Sequence, residues 1–296
     1  MGVKQPPLDL SYAEALPVLP FQAMRIQMFI VGLGGNGSFL ARHAACLVTL
    51  LQTMGKQVSL TFVDPDQVEE GNIPRQNFCP AEIGYYKAEA LARRYSAAFG
   101  IPIGYLPTSF ESAMVSSEWN LLTVLVGCVD RASGRIALGE VLQRNREYAA
   151  RHSAPRIWYL DLGNGVDYGQ VLLGTTDRVE DLAPAFCLSA VPGCSLLPSP
   201  LLQQPGLRES APEELEGPTL SCAQLLAARA QSMTINAAMA DEAADYLYRL
   251  LVTGDLKRFA TYIDLPTGTK RSHYTTPPTL ARIIGRTPSF FKRRTA

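Results

Sequence analysis

Four glycines lie within six positions in the stretch 29–43, which reads FIVGLGGNGSFLARH. An apolar run typical of a strand precedes them, and a helical pattern follows from Ser38. Glycines in this setting allow a tight turn and let backbone N–H groups approach a phosphate at a helix N-terminus. The spacing G-x-G-x-x-G therefore indicates a phosphate-binding loop, although glycines that only turn a strand into a helix would look the same. The four glycines are Gly32, Gly34, Gly35 and Gly37.

Polar and charged residues are concentrated after the second apolar run, in VDPDQVEEGNIPRQNF. A carboxylate at the end of a second strand holds ribose hydroxyls in dinucleotide-binding folds, so Asp64 alone fits either NAD or ATP. Two cations beside the loop, Arg75 and Lys87, exceed what a pyrophosphate on a helix dipole requires. They favour a triphosphate. The candidate set here is Asp64, Asp66, Asn72, Arg75, Gln76 and Lys87.

A third candidate position is Asp130, which ends the apolar run LLTVLVGCVD. Continuous apolar runs are typical of central strands buried on both faces, and ligands of open α/β sheets bind at the carboxyl ends of such strands. Magnesium prefers one or two carboxylates together with phosphate oxygens. The pattern predicts Mg²⁺ bound by Asp130 between the phosphates of ATP. Taken singly, Asp130 could instead cap the strand, and Arg75 or Lys87 could form a surface salt bridge.

Strand-like and helix-like patterns alternate through the first 175 positions. The elements that they predict must position the candidate residues. This alternation predicts a Rossmann-like, doubly wound α/β fold with a mainly parallel sheet and flanking helices. Two strands are expected within 155–174, joined by a turn at Gly163–Gly165. A chain of 296 residues with 47% hydrophobic content can bury a substantial core.

We expect one domain over 1–296 with three parts. The nucleotide-binding core spans 25–175, and a mobile crossover segment, rich in proline, serine and glutamate, spans 177–219. A helix and short strands fill 220–296, because 220–253 is rich in alanine with aliphatic residues at helical spacing.

Lysine plus arginine equals aspartate plus glutamate, at 27 each. This balance disfavours a nucleic-acid partner or an anionic membrane surface. The N-terminal residues lack the basic and then apolar pattern of a signal peptide, and no stretch approaches the ~20 apolar residues of a membrane span. We expect a cytoplasmic protein.

Metal-ligand spacings are missing from the sequence. The six cysteines form no C-x-x-C pair, and the three histidines lie far apart. We therefore expect no structural zinc and no disulfide framework.

Taken in order, the strand-GLGGNG-helix, VDPDQVEEGNIPRQNF, Lys87, CVDRASGR and DYGQVLL resemble the motifs of the ThiF/MoeB/E1 superfamily. Members of that superfamily adenylate the C-terminal carboxylate of ubiquitin-like or sulfur-carrier proteins. The resemblance covers about 25–175 well and the helix at 222–252 loosely. It is greatest to bacterial stand-alone ThiF-type proteins, including the PRTRC group and the E1-like members of ubiquitin-like conjugation operons.

This resemblance implies a role for each candidate residue. The four glycines would line the phosphates of ATP, and Asp64 would hold the ribose; Asp66 is a further candidate contact to the nucleotide. Asn72, Arg75, Gln76 and Lys87 would contact phosphates, and Asp130 would bind Mg²⁺. The implied partners are a β-grasp protein ending in glycine, an E2-like protein, and a second copy of this chain in a homodimer.

The sequence departs from the family pattern in two places. Relatives often begin with an arginine-bearing segment that reaches the partner subunit's active site, whereas only Lys4 and Arg25 precede the glycine loop here. The family motif D-N-x-x-x-R has Arg131 in place of asparagine and keeps its final arginine as Arg135. The expected homodimer therefore lacks an obvious source for a cation supplied in trans.

A thioester step is a further expectation. Many relatives carry a cysteine just before a late helix, and Cys222 in PTLSCAQLL has that position. A thiol in the first turn of a helix has a lowered pKa. Cys187 and Cys194 are rivals in the same region, and burial as a packing residue is the plainer alternative for all three.

Three other functions compete with an adenylating enzyme. A nucleotide-binding scaffold without catalysis would not need Arg75, Lys87 and Asp130 together. An NAD-dependent oxidoreductase does not account for the cationic NIPRQ loop. An enzyme that adenylates a small-molecule or tRNA-borne carboxylate is the remaining one, and the neutral net charge disfavours tRNA.

Overall fold

The computed structural model describes residues 10–115, 118, 120–149, 154–187, 190–209 and 233–291. Their strands form one eight-stranded sheet in the order β3-β2-β1-β4-β5-β6-β7-β8. The strands are β1 (Arg25–Val31), β2 (Gln57–Val63), β3 (Ile103–Leu106), β4 (Leu121–Gly127), β5 (Ile157–Asn164), β6 (Tyr168–Gly174), β7 (Arg258–Asp264) and β8 (Thr269–Tyr274).

Helices connect and flank these strands. In chain order the described α-helices are α1 (Ser11–Glu14), α2 (Gly35–Thr53), α3 (Lys87–Phe99), α4 (Ala132–Val141), α5 (Asn145–Ala149), α6 (Pro200–Gln203), α7 (Met233–Tyr248) and α8 (Pro277–Ile283). A wider π-helical turn, Arg249–Thr253, extends α7 and ends at Gly254 in the left-handed conformation. A left-handed glycine, Gly100, likewise ends α3.

The first five strands pair in parallel, and β6, β7 and β8 extend the sheet through antiparallel pairs. Successive residues of the central strands point to opposite faces. In β1, Met28 and Ile30 belong to the larger core beneath α2, α3 and α7, whereas Phe29 and Val31 belong to the smaller core with α4. Helices on both faces bury the sheet, which confirms the Rossmann-like, mainly parallel α/β prediction.

Two boundaries differ from the sequence expectation. Helix α2 begins at Gly35 and not at Ser38, because Gly34 already serves as its N-cap. Strand β5 continues to Asn164, so the turn to β6 follows that residue and is not centred on Gly163–Gly165. In β5 the residue Gly163 pairs with Gln170 of β6, which extends the ladder through the expected turn.

The described part of the proline-rich stretch after β6 packs against the sheet. Leu197 is fully buried, and its carbonyl accepts a hydrogen bond from the N–H of Thr175 at 2.9 Å. Ser199 is also buried and accepts from Leu202 at the start of α6. The described part of this expected crossover segment thus lies against the sheet, and the remainder, including 210–219, lies outside the described residues.

Among the described residues, no helix is both long enough and apolar enough to cross a membrane.

Candidate active site

The glycine loop joins β1 to α2 at the carboxyl edge of the sheet. Gly32 has a φ of 84°, and a Cβ on it would lie 2.7 Å from the carbonyl oxygen of Cys128. A Cβ on Gly37 would lie 1.9 Å from the carbonyl oxygen of Gly32. A side chain at Gly32 would therefore clash with the residue that follows β4, and a side chain at Gly37 would clash within the loop itself. With glycine, α2 begins within the motif at Gly35, and the first N–H groups of a helix have no partner inside the helix, as a phosphate-binding loop requires.

Asp64 lies just beyond β2 and is buried. Its Oδ2 accepts a hydrogen bond from the N–H of Leu33 at 2.5 Å, and its Oδ1 accepts from the N–H of Asp66 at 2.8 Å. Burial raises the pKa of the Asp64 carboxyl, although the Leu33 N–H and the nearby Lys87 ammonium oppose the shift. This carboxylate ties the end of β2 to the glycine loop.

Lys87 is the first residue of α3, and its side chain is almost fully buried. Its Nζ lies 2.9 Å from Oδ2 of Asp66, whose side chain is largely exposed. The N–H of Lys87 also donates to the carbonyl of Asp66 at 2.8 Å. The structure thus brings together Lys87 and Asp66, two of the predicted residues, with the ammonium held by an exposed carboxylate.

A compact turn carries the predicted residues of the NIPRQN stretch. Oδ1 of Asn72 accepts from the N–H of Glu69 at 2.9 Å, and the carbonyl of Asn72 accepts from the N–H of Gln76 at 2.9 Å. The N–H of Asn77 donates to Oγ of Ser38 at 2.9 Å, which fixes the turn to α2. Asn72 therefore shapes the turn through its own side chain.

Arg75 and Gln76 each hold a polar atom that is buried and lacks a hydrogen-bond partner among the described residues. These atoms are Nε of Arg75 and Oε1 of Gln76. Nε2 of Gln76 lies 3.8 Å from where a Cβ on Gly34 would be, so this side chain borders the glycine loop. An unpaired buried polar group costs about 1–3 kcal/mol. Such a cost is expected where a polar ligand completes the site.

Asp130 lies three residues beyond β4 and is exposed. The N–H of Cys128 donates to the carbonyl of Val31 at 2.7 Å, so Asp130 follows β4 at the edge that carries the glycine loop. The described residues contain no group of three or more His, Cys, Asp or Glu side chains that could hold a metal ion. A magnesium ion at Asp130 would therefore take most of its ligands from phosphate oxygens and water.

Behind Asp130, Arg135 connects the loop to a buried acid. Its Nη1 donates to the carbonyl of Asp130 at 3.0 Å, and its Nε donates to Oδ1 of Asp161 at 3.3 Å. Asp161 is fully buried and also accepts from the hydroxyl of Tyr159 at 2.6 Å. Burial raises the pKa of Asp161, although Arg135 and Tyr159 oppose the shift. This network gives Arg135 a fixed orientation.

A cavity of about 760 Å³ opens beside Arg135. Its walls come from the carboxyl end of β5, the hairpin to β6, and the adjoining ends of β7 and β8. The charged and amide side chains along it are Arg135, Asn164, Gln170, Asp264 and Arg271. Gly163 leaves space beside the arginine, since a Cβ there would lie 3.4 Å from Nη2 of Arg135. The cavity is large enough for a short peptide segment.

Three asparagines of the site were not among the residues predicted from the sequence. Asn36 lies inside the glycine motif, Asn164 ends β5 between two glycines, and Asn236 is a polar residue in the alanine-rich α7. Nδ2 of Asn236 donates to the carbonyl of Arg75 at 3.0 Å. A buried amide on an otherwise apolar helix face is the signal that could have identified Asn236.

The cysteines expected to compete as nucleophiles differ in their environments. Cys194 is fully buried, and its Sγ donates to the carbonyl of Leu196 at 3.3 Å. Burial raises the pKa of Cys194 to about 12, so almost none of it is thiolate at neutral pH. Cys187 is half-buried, and Cys222 lies outside the described residues.

Residues 22–154 match the ThiF family. The match spans the glycine loop, the NIPRQN turn, Lys87 and Asp130, and it confirms the resemblance drawn from the motifs. No curated protein matches.

Solved structures with a similar arrangement share little sequence with this chain. PaaA is 15% identical over 86% of this chain and 65% of PaaA, with a TM-score of 0.49. MccB of E. coli, crystallised with AMPCPP and MccA, is 14% identical over 84% of this chain and 63% of MccB, with a TM-score of 0.48. MccB with ATP is 16% identical over 88% of this chain and 67% of MccB, again with a TM-score of 0.48. The chain thus spans slightly less than two thirds of the length of PaaA.

Proposed function

We propose that this protein is an E1-like adenylating enzyme that uses Mg-ATP to activate the C-terminal carboxylate of a small ubiquitin-like or sulfur-carrier protein. The observation that carries the proposal is the juxtaposition at one sheet edge of a glycine loop, a buried lysine and buried polar atoms of Arg75 and Gln76 that have no partner among the described residues. The family match over 22–154 supports the same assignment.

The nucleotide half of the site suits a polyphosphate. The backbone N–H groups at the start of α2 provide donors and a positive helix terminus. Arg75 and Lys87 add two cations, and Nε of Arg75 is a buried donor without a partner among the described residues. We assign the four glycines, Asn72, Arg75, Gln76 and Lys87 to the phosphates, and Asp64 with Asp66 to the ribose side. Asp130 would hold Mg²⁺, which neutralises phosphate charge when bound.

The cavity beside Arg135 suits the second substrate. An acceptor carboxylate is an anion, and Arg135 places a guanidinium at the cavity wall next to the Asp130 loop. Arginine binds carboxylates through two parallel N–H groups. A peptide that ends in glycine could approach Arg135 closely, because Gly163 leaves that side of the cavity open.

The reaction needs little covalent help from the protein. An oxygen of the acceptor carboxylate attacks the α-phosphorus of ATP, the bond from that phosphorus to the β-phosphate oxygen breaks, and pyrophosphate leaves. The product is an acyl-adenylate. Negative charge on the phosphate oxygens is stabilised by Arg75 and Lys87, as is usual where positioning and electrostatics supply the catalysis.

A thioester step on Cys222 completes the proposal. The thiolate would attack the acyl carbon of the adenylate, and AMP would leave. Cys222→Ala should retain adenylate formation and lose any thiol-sensitive adduct with the acceptor, as seen by mass spectrometry of the intact protein. An adduct that persists in Cys222→Ala would move this step to another cysteine, of which Cys187 is the rival that is not fully buried.

Nucleotide choice tests the proposal first. Isothermal titration should show that Mg-ATP binds and that NAD⁺ does not. Lys87→Ala and Arg75→Ala should each lower the affinity for Mg-ATP by at least about tenfold. The control is Asp241→Ala, which changes an exposed acid on α7. Binding of NAD⁺ in preference to ATP would overturn the proposal in favour of an oxidoreductase.

A further inference from the structure

Three asparagine side chains form a continuous hydrogen-bonded relay beneath the glycine loop. Nδ2 of Asn36 donates to Oδ1 of Asn164 at 2.8 Å, and Nδ2 of Asn164 donates to Oδ1 of Asn236 at 3.2 Å. Nδ2 of Asn236 donates to the carbonyl of Arg75 at 3.0 Å. The relay thus joins α2, β5, α7 and the NIPRQN turn, four elements that are distant in sequence.

The direction of the relay is fixed by its last member. A backbone carbonyl can only accept, so Asn236 must turn its NH₂ group toward Arg75 and its oxygen toward Asn164. Asn164 must then donate to Asn236 and accept from Asn36. No amide can be flipped without breaking a bond. The relay ends in Oδ1 of Asn36, which is buried and lacks a partner among the described residues.

Close packing surrounds the Asn236 end of this relay. Asn236 is fully buried, and a Cβ on Gly35 would lie 2.6 Å from its amide atoms. The bare glycine is therefore what allows α7 to approach the phosphate loop. The backbone carbonyl that Asn236 holds belongs to Arg75, whose side chain, like that of the adjacent Gln76, contains the unpaired buried atoms of the site.

We infer that Asn236, Asn164 and Asn36 form a positioning relay that holds Arg75 and Gln76 against the polyphosphate of ATP. The inference rests on the proposed function, and it assigns to the ATP site three residues outside the predicted set. Asn164 also lines the cavity beside Arg135, so the relay connects the phosphate side of the site with the cavity.

The direction of the relay supplies its test. Aspartate at position 236 has nearly the same shape as asparagine but cannot donate to the Arg75 carbonyl, and it places a negative charge beside the site. Asn236→Asp should therefore lower the affinity for Mg-ATP more than Asn236→Ala does. Asn164→Asp should also lower the affinity for Mg-ATP, because the carboxylate cannot donate to Asn236.

Displacement of a fluorescent ATP analogue measures these effects. We expect about tenfold weaker Mg-ATP binding in Asn236→Ala and a still greater loss in Asn236→Asp, with adenosine affinity changed less than twofold in both. The adenosine comparison is needed because, if the relay only maintained the local structure, its loss would lower the affinities for Mg-ATP and for adenosine equally. Asp241→Asn is the matched control, since Asp241 lies on the same helix and is exposed.

The possible failures can be told apart. If the wild-type protein does not bind Mg-ATP, the proposed function and the relay's role fail together. If the wild type binds and folded variants retain full Mg-ATP affinity, or lose ATP and adenosine affinity equally, the relay inference alone is overturned. Should Asn236→Ala fail to fold by circular dichroism, Asn164→Asp gives the same comparison.

Discussion

At the scale of single residues, Arg135 contacts the Asp130 loop on the nucleotide side of the site and also lines the cavity proposed for the acceptor. It donates to the carbonyl of Asp130, is held by the buried Asp161, and borders the cavity. A buried carboxylate beside an arginine favours the charged guanidinium and fixes its orientation. We therefore expect Arg135 to act on the acceptor and to contribute little to nucleotide binding.

Replacing Arg135 by lysine tests this division of roles. Lysine keeps the positive charge but cannot contact Asp130, Asp161 and a carboxylate together, because it lacks the planar fork of arginine. Arg135→Lys should raise the KM for the acceptor by about tenfold and leave the Kd for Mg-ATP within twofold of wild type. A variant that loses Mg-ATP affinity and keeps its acceptor KM would place Arg135 with the phosphates.

At the scale of elements, α7 is held to the sheet by charge as well as by apolar packing. Glu242 is buried on α7 and forms ion pairs with Arg258 of β7 and Lys270 of β8. Asp245, one turn later, also pairs with Arg258. Because α7 carries Asn236, these pairs fix the position of the relay as well as the antiparallel end of the sheet.

Glu242→Ala should therefore be destabilising. Without Glu242, Arg258 keeps its pair with Asp245 and the half-exposed Lys270 is solvated, so the cost should fall below the about 3–5 kcal/mol of breaking a fully buried pair. Urea denaturation should show a loss of about 2 kcal/mol in the free energy of unfolding. The adjacent acid provides the control, because Asp241 is exposed and its ion pair among the described residues is with the half-buried His43, so Asp241→Ala should cost less than about 1 kcal/mol. Equal losses in the two variants would contradict this account of how α7 is held.

At the scale of the whole molecule, the sequence predicted the parallel half of the fold well and the antiparallel half only in outline. Alternating strands and helices follow from local periodicity, and glycine spacing marks the first turn. The pairing of β6 with β7 joins residues about ninety positions apart, and no local pattern encodes such a contact. Part of the chain between them, 177–219, also has little periodicity of its own.

In the candidate site, too, local sequence patterns predict individual residues but not the contacts between residues that are distant in sequence. Asp64, Arg75, Lys87 and Asp130 could be selected because charged residues at strand ends and helix starts stand out in a sequence. Of the asparagine relay, only Asn236 offers a sequence signal, as an amide in an alanine-rich helix. Asn36 and Asn164 look like ordinary polar residues until the fold brings the three amides together. Asp161 was missed for a similar reason: within WYLDLGN it resembles any acid near the end of a strand, and its burial beside Arg135 is visible only in the fold.

The measurement that tests the central claim most directly is ATP–pyrophosphate exchange with Mg²⁺, using as acceptor the small glycine-ended protein encoded nearest this gene. We predict exchange that requires the acceptor and falls by about 10²-fold in Asp130→Ala, with Asp241→Ala unchanged. Exchange that persists undiminished in Asp130→Ala would contradict the assignment of magnesium to that residue. Absence of exchange in a protein that binds both Mg-ATP and the acceptor would contradict adenylation itself and favour a nucleotide-binding scaffold.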